Sequence, residues 1–328
     1  MDDIEQVVDF IGESQQSAWV FSVLAAAAET GLLDALDSPR DLSTLAEHAG
    51  APEALVGRML EVLAALRLVV RSGEGWVASP GLSPLLTPPV KEMLLAELRS
   101  TRLQAARFVE EAAARALVQD GRRLGDEESI RAQGVVSALG TETLLATTYP
   151  RIPGLLAQLS RPGAEFLDVG AGAGGVAITV ARHFHGLRVV ALEPEELPLR
   201  LARENVAAAG LGERIELRAM RVEELKDSDR FEAAYVSQMY MTDDPLIRGL
   251  RAVRAALRPG GRVLLTAASV AGDGLRPALS RLRNELCGGG ARLPEDLIRM
   301  LDECGYEAVE VLEGEGTTHP VVGRRPGV

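Results

Sequence analysis

Apolar residues recur at helical spacing through the first part of the chain and then give way to a short strand pattern. Helical runs are predicted at residues 17–29, 41–49 and 52–66, and a small β-hairpin at residues 68–77. Asp41 is a plausible helix start, and Pro52 suits the first turn of the third helix. In that helix one apolar set is expected to face a core: Leu55, Met59, Leu63 and Leu66. This order predicts a winged helix-turn-helix.

Prolines then interrupt the pattern, at Pro80, Pro84, Pro88 and Pro89. They end the wing, because proline cannot continue a helix interior or a central strand. A long helical run at 90–118, a charged connection at 121–128 and helical segments at 129–159 follow. Tyr149 and Arg151 stand out in the last segment. Each is expected either to contact a cofactor or substrate, or to have only a packing or surface role.

A short apolar run at residues 166–169 leads into a glycine-rich turn. Phe166, Leu167 and Val169 suit a buried strand, and residues 176–184 are helix-like. Between them stand three glycines that allow positive φ and close approach of a ligand to bare backbone: Gly170, Gly172 and Gly174. The turn is therefore predicted to hold the polar end of a cofactor at a helix N-terminus.

A second apolar strand at residues 187–192 ends in Glu193. A carboxylate at this distance from a glycine turn can accept hydrogen bonds from both hydroxyls of a ribose. This spacing indicates an adenosine cofactor, and by itself it does not choose between a nicotinamide dinucleotide and another one.

The string Asp168-Val-Gly-Ala-Gly-Ala-Gly174 resembles the first motif of class I S-adenosylmethionine-dependent methyltransferases. Further segments resemble later elements of that family, at residues 214–218, 231–237, 257–265, 295–306 and 321–325. The resemblance implies an α/β, Rossmann-like domain. Its seven-stranded sheet would be mostly parallel, with an antiparallel final strand.

Residues 25–36, residues 63–69 and Trp76 resemble the dimerisation domain of small-molecule O-methyltransferases of bacteria and plants. The resemblance implies an α-helical, winged-helix dimerisation domain and a homodimer, although a different second subunit stays open. The predicted division is a dimerisation domain at 1–88, a helical connector that contributes to the substrate pocket at 89–160, and a cofactor-binding catalytic domain at 161–328.

The family pattern also implies a set of cofactor ligands. In that family the turn holds the amino-acid end of S-adenosylmethionine, and the acidic residue after the second strand holds the ribose. Carried over, the cofactor-binding residues are Asp168, Gly170, Gly172, Gly174, Glu193, Met220, Arg221 and Ser237. Residues 219–222 depart from the family's Gly-Asp at the adenine, since Arg221 has the wrong charge; Met220 can still stack on the adenine.

The chain also departs from the family at the catalytic base. The O-methyltransferases carry a histidine a few residues beyond the fourth strand, but residues 237–244 contain none. Candidate acid or base residues there are Tyr240, Asp243 and Asp244, and candidate substrate contacts are Tyr149, Met239 and Met241. His48, His183 and His185 are interpreted as surface or packing residues, and a role for His319 stays open.

Composition narrows the class of protein. The net charge is −12, and the winged-helix segment itself carries more acidic than basic residues. Because Lys and Arg supply most nonspecific affinity for DNA, nucleic-acid binding is not expected. Cys287 and Cys304 are the two cysteines and are read as structural, with no metal site. No stretch approaches membrane-spanning length, so a cytoplasmic protein is expected.

Three functions remain open at this point. The first is methyl transfer to a small molecule, expected to be a specialised metabolite, whose nucleophile is an amine, a carboxylate, an activated carbon, or a hydroxyl deprotonated by Tyr240, Asp243 or Asp244. The second keeps the fold but performs another reaction, such as cyclisation, rearrangement or decarboxylation. The third is a non-catalytic partner subunit.

Overall fold

The computed structural model describes residues 3–88, 90–114, 126–268, 274–312 and 318–327. The chain divides into two compact units, Met1–Glu110 and Glu111–Val328. The three-part division expected from the sequence is finer than this one and stays a prediction. Pro89, the end of the predicted long helix at 115–118, and residues 121–125 of the predicted connection lie outside the described residues.

The N-terminal unit is built from helices and one hairpin. Its elements are α1 (Asp3–Glu29), α2 (Leu42–Ala49), α3 (Glu53–Ala65), β1 (Val69–Ser72), β2 (Gly75–Ala78) and the long helix α4 (Val90–Ala113), in which the unit ends. The two strands pair antiparallel, so the predicted order of helices followed by a wing is confirmed.

The predicted starts of the second and third helices agree with the structure to within one residue. The Asp41 carboxylate caps α2 by accepting a hydrogen bond from the Thr44 amide at 2.8 Å. Pro52 is the N-cap of α3, one position before the predicted first turn. The predicted core stripe of α3 was half wrong: Met59 and Leu63 are buried, but Leu55 and Leu66 are exposed, and Val56 and Leu60 face the core instead. Successive steps of four residues rotate about 40° around a helix of 3.6 residues per turn, so the assumed stripe drifts away from the core.

Helix α1 exposes several large apolar side chains in the single chain: Ile4, Val7, Val8, Phe10, Ile11 and Trp19. Apolar surface of this extent on a helix is typical of a surface that another chain covers. Among the described residues no helix is both long enough and apolar enough to cross a membrane.

The C-terminal unit alternates strands and helices. Its elements are α5 (Glu127–Thr147), α6 (Leu155–Leu159), β3 (Glu165–Val169), α7 (Gly175–His183), β4 (Arg188–Leu192), α8 (Glu196–Ala208), β5 (Ile215–Arg218), β6 (Phe231–Val236), α9 (Asp243–Ala256), β7 (Leu257–Ala268), α10 (Leu275–Leu286), α11 (Pro294–Glu303), β8 (Glu307–Val311) and β9 (Thr318–Arg324).

The strands form one seven-stranded sheet in the order β5-β4-β3-β6-β7-β9-β8. The first five are parallel neighbours, while β9 runs antiparallel to both β7 and β8. The predicted mostly parallel sheet with an antiparallel final strand is therefore confirmed. From β3 the chain adds β4 and β5 on one side of the sheet and then returns to add β6 on the other side, so the topological switch point lies between β3 and β6. Ligands of such sheets bind at the carboxyl ends of the strands beside this point.

Helix α5 packs closely on the start of α7. A Cβ at Gly134 would lie 2.9 Å from that of Ala173, and a Cβ at Gly175 would overlap the Gly134 carbonyl oxygen. The two backbones thus meet where side chains would not fit, and α5 supports the glycine turn from one side. Four exposed charged residues add ion pairs between α5 and α8: Glu127, Arg131, Arg200 and Glu204.

Candidate active site

Three glycines carry the chain from β3 into α7. Gly170, Gly172 and Gly174 have φ values of 79°, 55° and 86°, a region that residues with a side chain rarely adopt. The Gly170 amide donates to the Leu192 carbonyl at 3.0 Å, so the turn is tied to the end of β4. A Cβ at Gly170 would lie 3.2 Å from that of Ser237. The turn therefore presents bare backbone between the carboxyl ends of β3 and β6.

Asp168 lies on β3 directly before this turn and is fully buried. Neither of its carboxylate oxygens makes an ion pair or a hydrogen bond of regular geometry with another described residue, although the Ala177 amide lies near enough to influence its titration. Burial raises the pKa of Asp168 to about 7; the Ala177 amide opposes this shift and the Glu193 carboxylate adds to it. A buried carboxylate without a partner is costly. A cationic group of a ligand is the partner that would remove this cost.

Glu193 follows β4 and is also buried. Its two carboxylate oxygens accept hydrogen bonds from the Gly172 amide at 2.9 Å and from the Glu195 amide at 3.0 Å. The acidic residue after the second strand is thus fastened to the glycine turn. Each oxygen has a further lone pair, so the carboxylate can also accept from the hydroxyls of a ribose.

The loop after β5 holds the other two residues predicted near an adenine. Met220 is half-buried and packs against the core beside β5, whereas Arg221 is exposed. The Arg221 amide donates to the Glu224 carboxylate at 3.0 Å, which caps the short turn at residues 222–224. Met220 therefore presents partly exposed apolar surface in this loop, whereas Arg221 is exposed to solvent.

The segment after β6 carries the remaining predicted contacts. The Ser237 amide donates to the Val169 carbonyl at 3.0 Å, which places Ser237 against the glycine turn. Met239 and Tyr240 are partly buried beyond it. Met241 is buried in the core that contains Leu246 and Leu265. This placement supports a packing role for Met241 rather than the predicted substrate contact.

Among the three predicted catalytic residues, Tyr240 is half-buried, whereas both aspartates are exposed. Burial raises the pKa of Tyr240 above its ordinary range, with further contributions from Cys287 and Tyr235, while Arg283 opposes the shift. A phenol with a raised pKa keeps its proton at neutral pH. Tyr240 is thus suited to donate a hydrogen bond and unsuited to act as a base.

Asp243 and Asp244 begin α9 on its exposed side. The Asp243 side chain is 70% exposed and pairs with Arg292 at 2.7 Å; the Asp244 side chain is 80% exposed and pairs with Arg248. Carboxylates at this position favour the helix N-terminus. An exposed carboxylate that already accepts from a guanidinium is poorly placed to take a substrate proton. The placement argues against the predicted catalytic roles of both aspartates.

Tyr149 is 1% exposed and belongs to the core that packs beneath β3. Burial raises the pKa of Tyr149 well above its ordinary range, and Tyr235 and Asp168 add to the shift. Tyr149 therefore lies near the buried face of the cofactor site. Of the two roles that the sequence left open for Tyr149, this burial favours packing, and its predicted substrate contact stays a prediction.

Three of the four histidines, His48, His183 and His185, are exposed, in agreement with their interpretation as surface or packing residues. His48 lies in the N-terminal unit; His183 is the last residue of α7 and His185 follows it, at the end of the helix that is remote from the glycine turn. His319 pairs with Ala267 across β7 and β9, beyond the Leu265–Val236 pair that marks the carboxyl end of β6. It therefore lies at the same edge of the sheet as the site, two strands from β6.

Sequence reasoning missed two residues that hold the segment after β6. Arg292, 5% exposed, donates to the carbonyl oxygens of Gln238 and Met241 and to the Asp243 carboxylate. Gly289 lies against Met239, and its amide donates to the Met239 carbonyl at 2.9 Å. The three consecutive glycines at 288–290 were a signal for such a close backbone contact.

No metal site was expected, and among the described residues no group of three His, Cys, Asp or Glu is arranged to hold a metal ion. Cys304 is buried and Cys287 is half-buried, and both are free thiols. Burial raises the pKa of each thiol, so neither resembles an activated nucleophile.

Comparison with known families matches both parts of the chain. Residues 13–89 match the O-methyltransferase dimerisation domain, and residues 166–261 match a methyltransferase domain. The second match begins within β3, two residues before Asp168, and ends within β7. It therefore includes the glycine turn, Glu193 and the segment after β6.

Individual relatives agree with these matches. The mitomycin biosynthesis 6-O-methyltransferase of Streptomyces lavendulae is 26% identical over 340 residues, covering 96% of this chain and 94% of that protein. The ribosomal RNA small subunit methyltransferase G of Frankia alni is 29% identical over 241 residues, covering 70% and 85%.

Human N-acetylserotonin methyltransferase, solved in complex with S-adenosylmethionine, has the same fold, with a TM-score of 0.71 at 17% identity and coverage of 100% and 99%. The dimerisation domain, the sheet order and the glycine turn agree on one assignment. The chain belongs to the S-adenosylmethionine-dependent class I methyltransferases, in the O-methyltransferase family that carries an N-terminal dimerisation domain.

Proposed function

We propose that this enzyme transfers a methyl group from S-adenosylmethionine to a small specialised metabolite. The observation that carries the proposal is Asp168, which lies directly before the glycine turn as a buried carboxylate without a cationic partner among the described residues. S-adenosylmethionine has an ammonium group and a sulfonium, and either would supply the missing positive charge. The acidic balance of the N-terminal unit supports a small-molecule acceptor over a nucleic acid.

Each residue of the site has a role in holding the cofactor. The glycine turn lets the cofactor approach the backbone amides at the N-terminus of α7, where the carboxylate of its amino-acid end would be favoured. Asp168 balances the ammonium, Glu193 accepts from the ribose hydroxyls, and Met220 offers an apolar surface to the adenine. When bound, S-adenosylmethionine supplies an electrophilic methyl carbon on a charged sulfur. The protein's contribution is to align an acceptor with that carbon and exclude water.

The acceptor side lacks an evident base in the segment after β6, because Tyr240 stays protonated and the two aspartates are exposed and paired. We infer an acceptor whose nucleophile needs little help in losing a proton: an amine, a carboxylate or an acidic phenol. The same observation favours the second candidate, a related reaction without methyl transfer. His319 is the residue that would serve a less acidic hydroxyl.

Isotopic labelling separates these possibilities. The enzyme is incubated with S-adenosylmethionine bearing a trideuteromethyl group and with a panel of small aromatic amines, carboxylic acids and phenols. We expect a product that carries all three deuterium atoms and an equal amount of S-adenosylhomocysteine. Conversion of an acceptor while S-adenosylmethionine is recovered unchanged would favour the second candidate.

Two variants then identify the proton acceptor. With an amine or carboxylate acceptor, His319→Gln is expected to keep kcat within about threefold of the parent. The same holds for Tyr240→Phe, because this variant keeps the aromatic ring in place and removes only a hydroxyl that is unsuited to act as a base. A loss of about 10²- to 10⁴-fold in His319→Gln, with cofactor affinity unchanged, would instead identify a hydroxyl acceptor and a base on β9.

We also propose a homodimer formed through the N-terminal unit, which matches a dimerisation domain. The exposed apolar face of α1 supports this, since an isolated chain would leave Phe10 and Trp19 in water at 60% and 75% exposure. Light scattering is expected to give twice the chain mass. A mass of 34.9 kDa at micromolar concentration would contradict the proposal.

A further inference from the structure

Arg292 places a buried guanidinium against the segment after β6. Its nitrogen atoms donate to the Gln238 carbonyl at 3.0 Å, to the Gln238 side-chain oxygen at 2.8 Å and to the Met241 carbonyl at 2.6 Å. Two further bonds reach one oxygen of Asp243, at 3.0 and 2.7 Å. Most of these acceptors are neutral and belong to one short segment. The main effect of the guanidinium is therefore to hold that segment in place, and the ion pair with Asp243 is only one part of its bonding.

The glycine run before Arg292 contacts the same segment independently. The Gly289 amide donates to the Met239 carbonyl at 2.9 Å. A Cβ at Gly289 would overlap that carbonyl and lie 2.9 Å from the Gln238 carbonyl oxygen. Residues 289–292, here called the clamp, thus satisfy the carbonyl oxygens of Gln238, Met239 and Met241, which otherwise need partners in a buried setting.

The clamped segment connects the cofactor turn to the acceptor side. At one end, the Ser237 amide donates to the Val169 carbonyl. In the middle, the Gln238 side-chain amide donates to the Thr266 carbonyl at 3.0 Å. The segment then reaches Tyr240, whose phenol is close enough to Cys287 and to Glu193 for both to act on its titration. Any shift of the segment would therefore move Tyr240 relative to the glycine turn.

We propose that Arg292 is a positioning residue for methyl transfer, which fixes residues 238–241 so that Tyr240 and Met239 stay aligned with the cofactor turn. This inference rests on the proposed function, because it assigns the segment to the acceptor side of the methyl-transfer site. The hydrogen bonds that Arg292 makes with described residues reach Gln238, Met241 and Asp243, and none of them reaches the glycine turn. Its loss is therefore expected to affect turnover much more than cofactor affinity.

The test compares Arg292→Met with Arg292→Lys, Gly289→Ala and the control Arg299→Met, which removes an exposed arginine from α11. For Arg292→Met we expect kcat to fall about 100-fold, while the Kd for S-adenosylmethionine stays within about threefold. Gly289→Ala should show the same split, Arg292→Lys should recover part of kcat, and Arg299→Met should match the parent.

Hydrogen exchange supplies a readout that needs no acceptor. The Tyr240 and Met241 amides should exchange about tenfold faster in Arg292→Met, while the amides of β3 stay as protected as in the parent. Unchanged exchange at residues 238–241 would overturn the proposal, as would equal losses of kcat and cofactor affinity. Absence of methyl transfer by the parent enzyme would refute the proposed function instead, a distinct outcome.

Discussion

Gly170→Val is expected to weaken S-adenosylmethionine binding at least about 100-fold, equivalent to about 2.7 kcal/mol. Two effects add at this position. Gly170 has a φ of 79°, which a β-branched residue adopts only with strain. In addition, its new Cβ would lie 3.2 Å from that of Ser237, so either the turn or the segment after β6 must move. Both movements disturb the backbone that faces the cofactor.

Gly163→Val is the matched control for this variant. Gly163 also has a positive φ, 75°, and nothing lies within 4 Å of an added Cβ there. The two variants therefore share the backbone strain but differ in their distance from the turn. Calorimetric titration, with circular dichroism to verify folding, should show loss of affinity in the first and near-parental affinity in the second. Equal affinity in both variants would mean that the turn does not hold the cofactor.

Cofactor affinity is expected to depend on pH through Asp168. In the free protein its pKa is raised to about 7 by burial, so the carboxyl is protonated below that pH. A bound cation favours the charged carboxylate and lowers the pKa, so binding releases a proton whenever the free protein carries it. The dissociation constant should rise about tenfold for each pH unit below 7. Above pH 7 the dependence on Asp168 disappears.

The groups around Asp168 do not interfere in this range. Burial raises the pKa of both Tyr149 and Tyr235, so these phenols keep their protons. The cofactor's own amino group titrates at roughly 7.7–8.0, which sets the upper limit of a useful experiment. Titrations between pH 5.5 and 7.5 in buffers of different ionisation enthalpy would count the released protons.

Asp168→Asn tests the assignment. Asparagine cannot lose a proton, so the variant should bind more weakly at pH 7.5, with an affinity that no longer changes between pH 5.5 and 7.5. Proton release should disappear as well. A parent protein whose affinity is constant over this range would contradict the role of Asp168 as the partner of a cationic group.

The strand-turn-helix around residues 165–184 could be predicted because its signals are local. Three glycines, an apolar strand and an acid after the next strand each follow from backbone geometry, and the observed φ values agree with them. The clamp could not be predicted in the same way. Arg292 contacts Gln238 across more than fifty residues of sequence, and only the packing of the loop after α10 brings them together.

The candidate catalytic residues show the same limit. Tyr240, Asp243 and Asp244 are neighbours in sequence, but a turn and a helix start separate their surroundings. Burial raises the pKa of Tyr240, whereas Asp243 and Asp244 meet arginines near the surface. For Tyr149 the sequence left ligand contact and packing both open, because nothing in the connecting segment shows that its side chain is buried.

Calorimetric titration of the purified enzyme with S-adenosylmethionine tests the central claim most directly, once mass spectrometry has verified that no ligand was retained during purification. The site described around Asp168, Glu193 and the glycine turn predicts micromolar binding with one cofactor per chain. Folded protein that binds no S-adenosylmethionine at pH 7.5 would contradict it, and would place the fault in the loop at Met220 and Arg221, where the chain departs from the family.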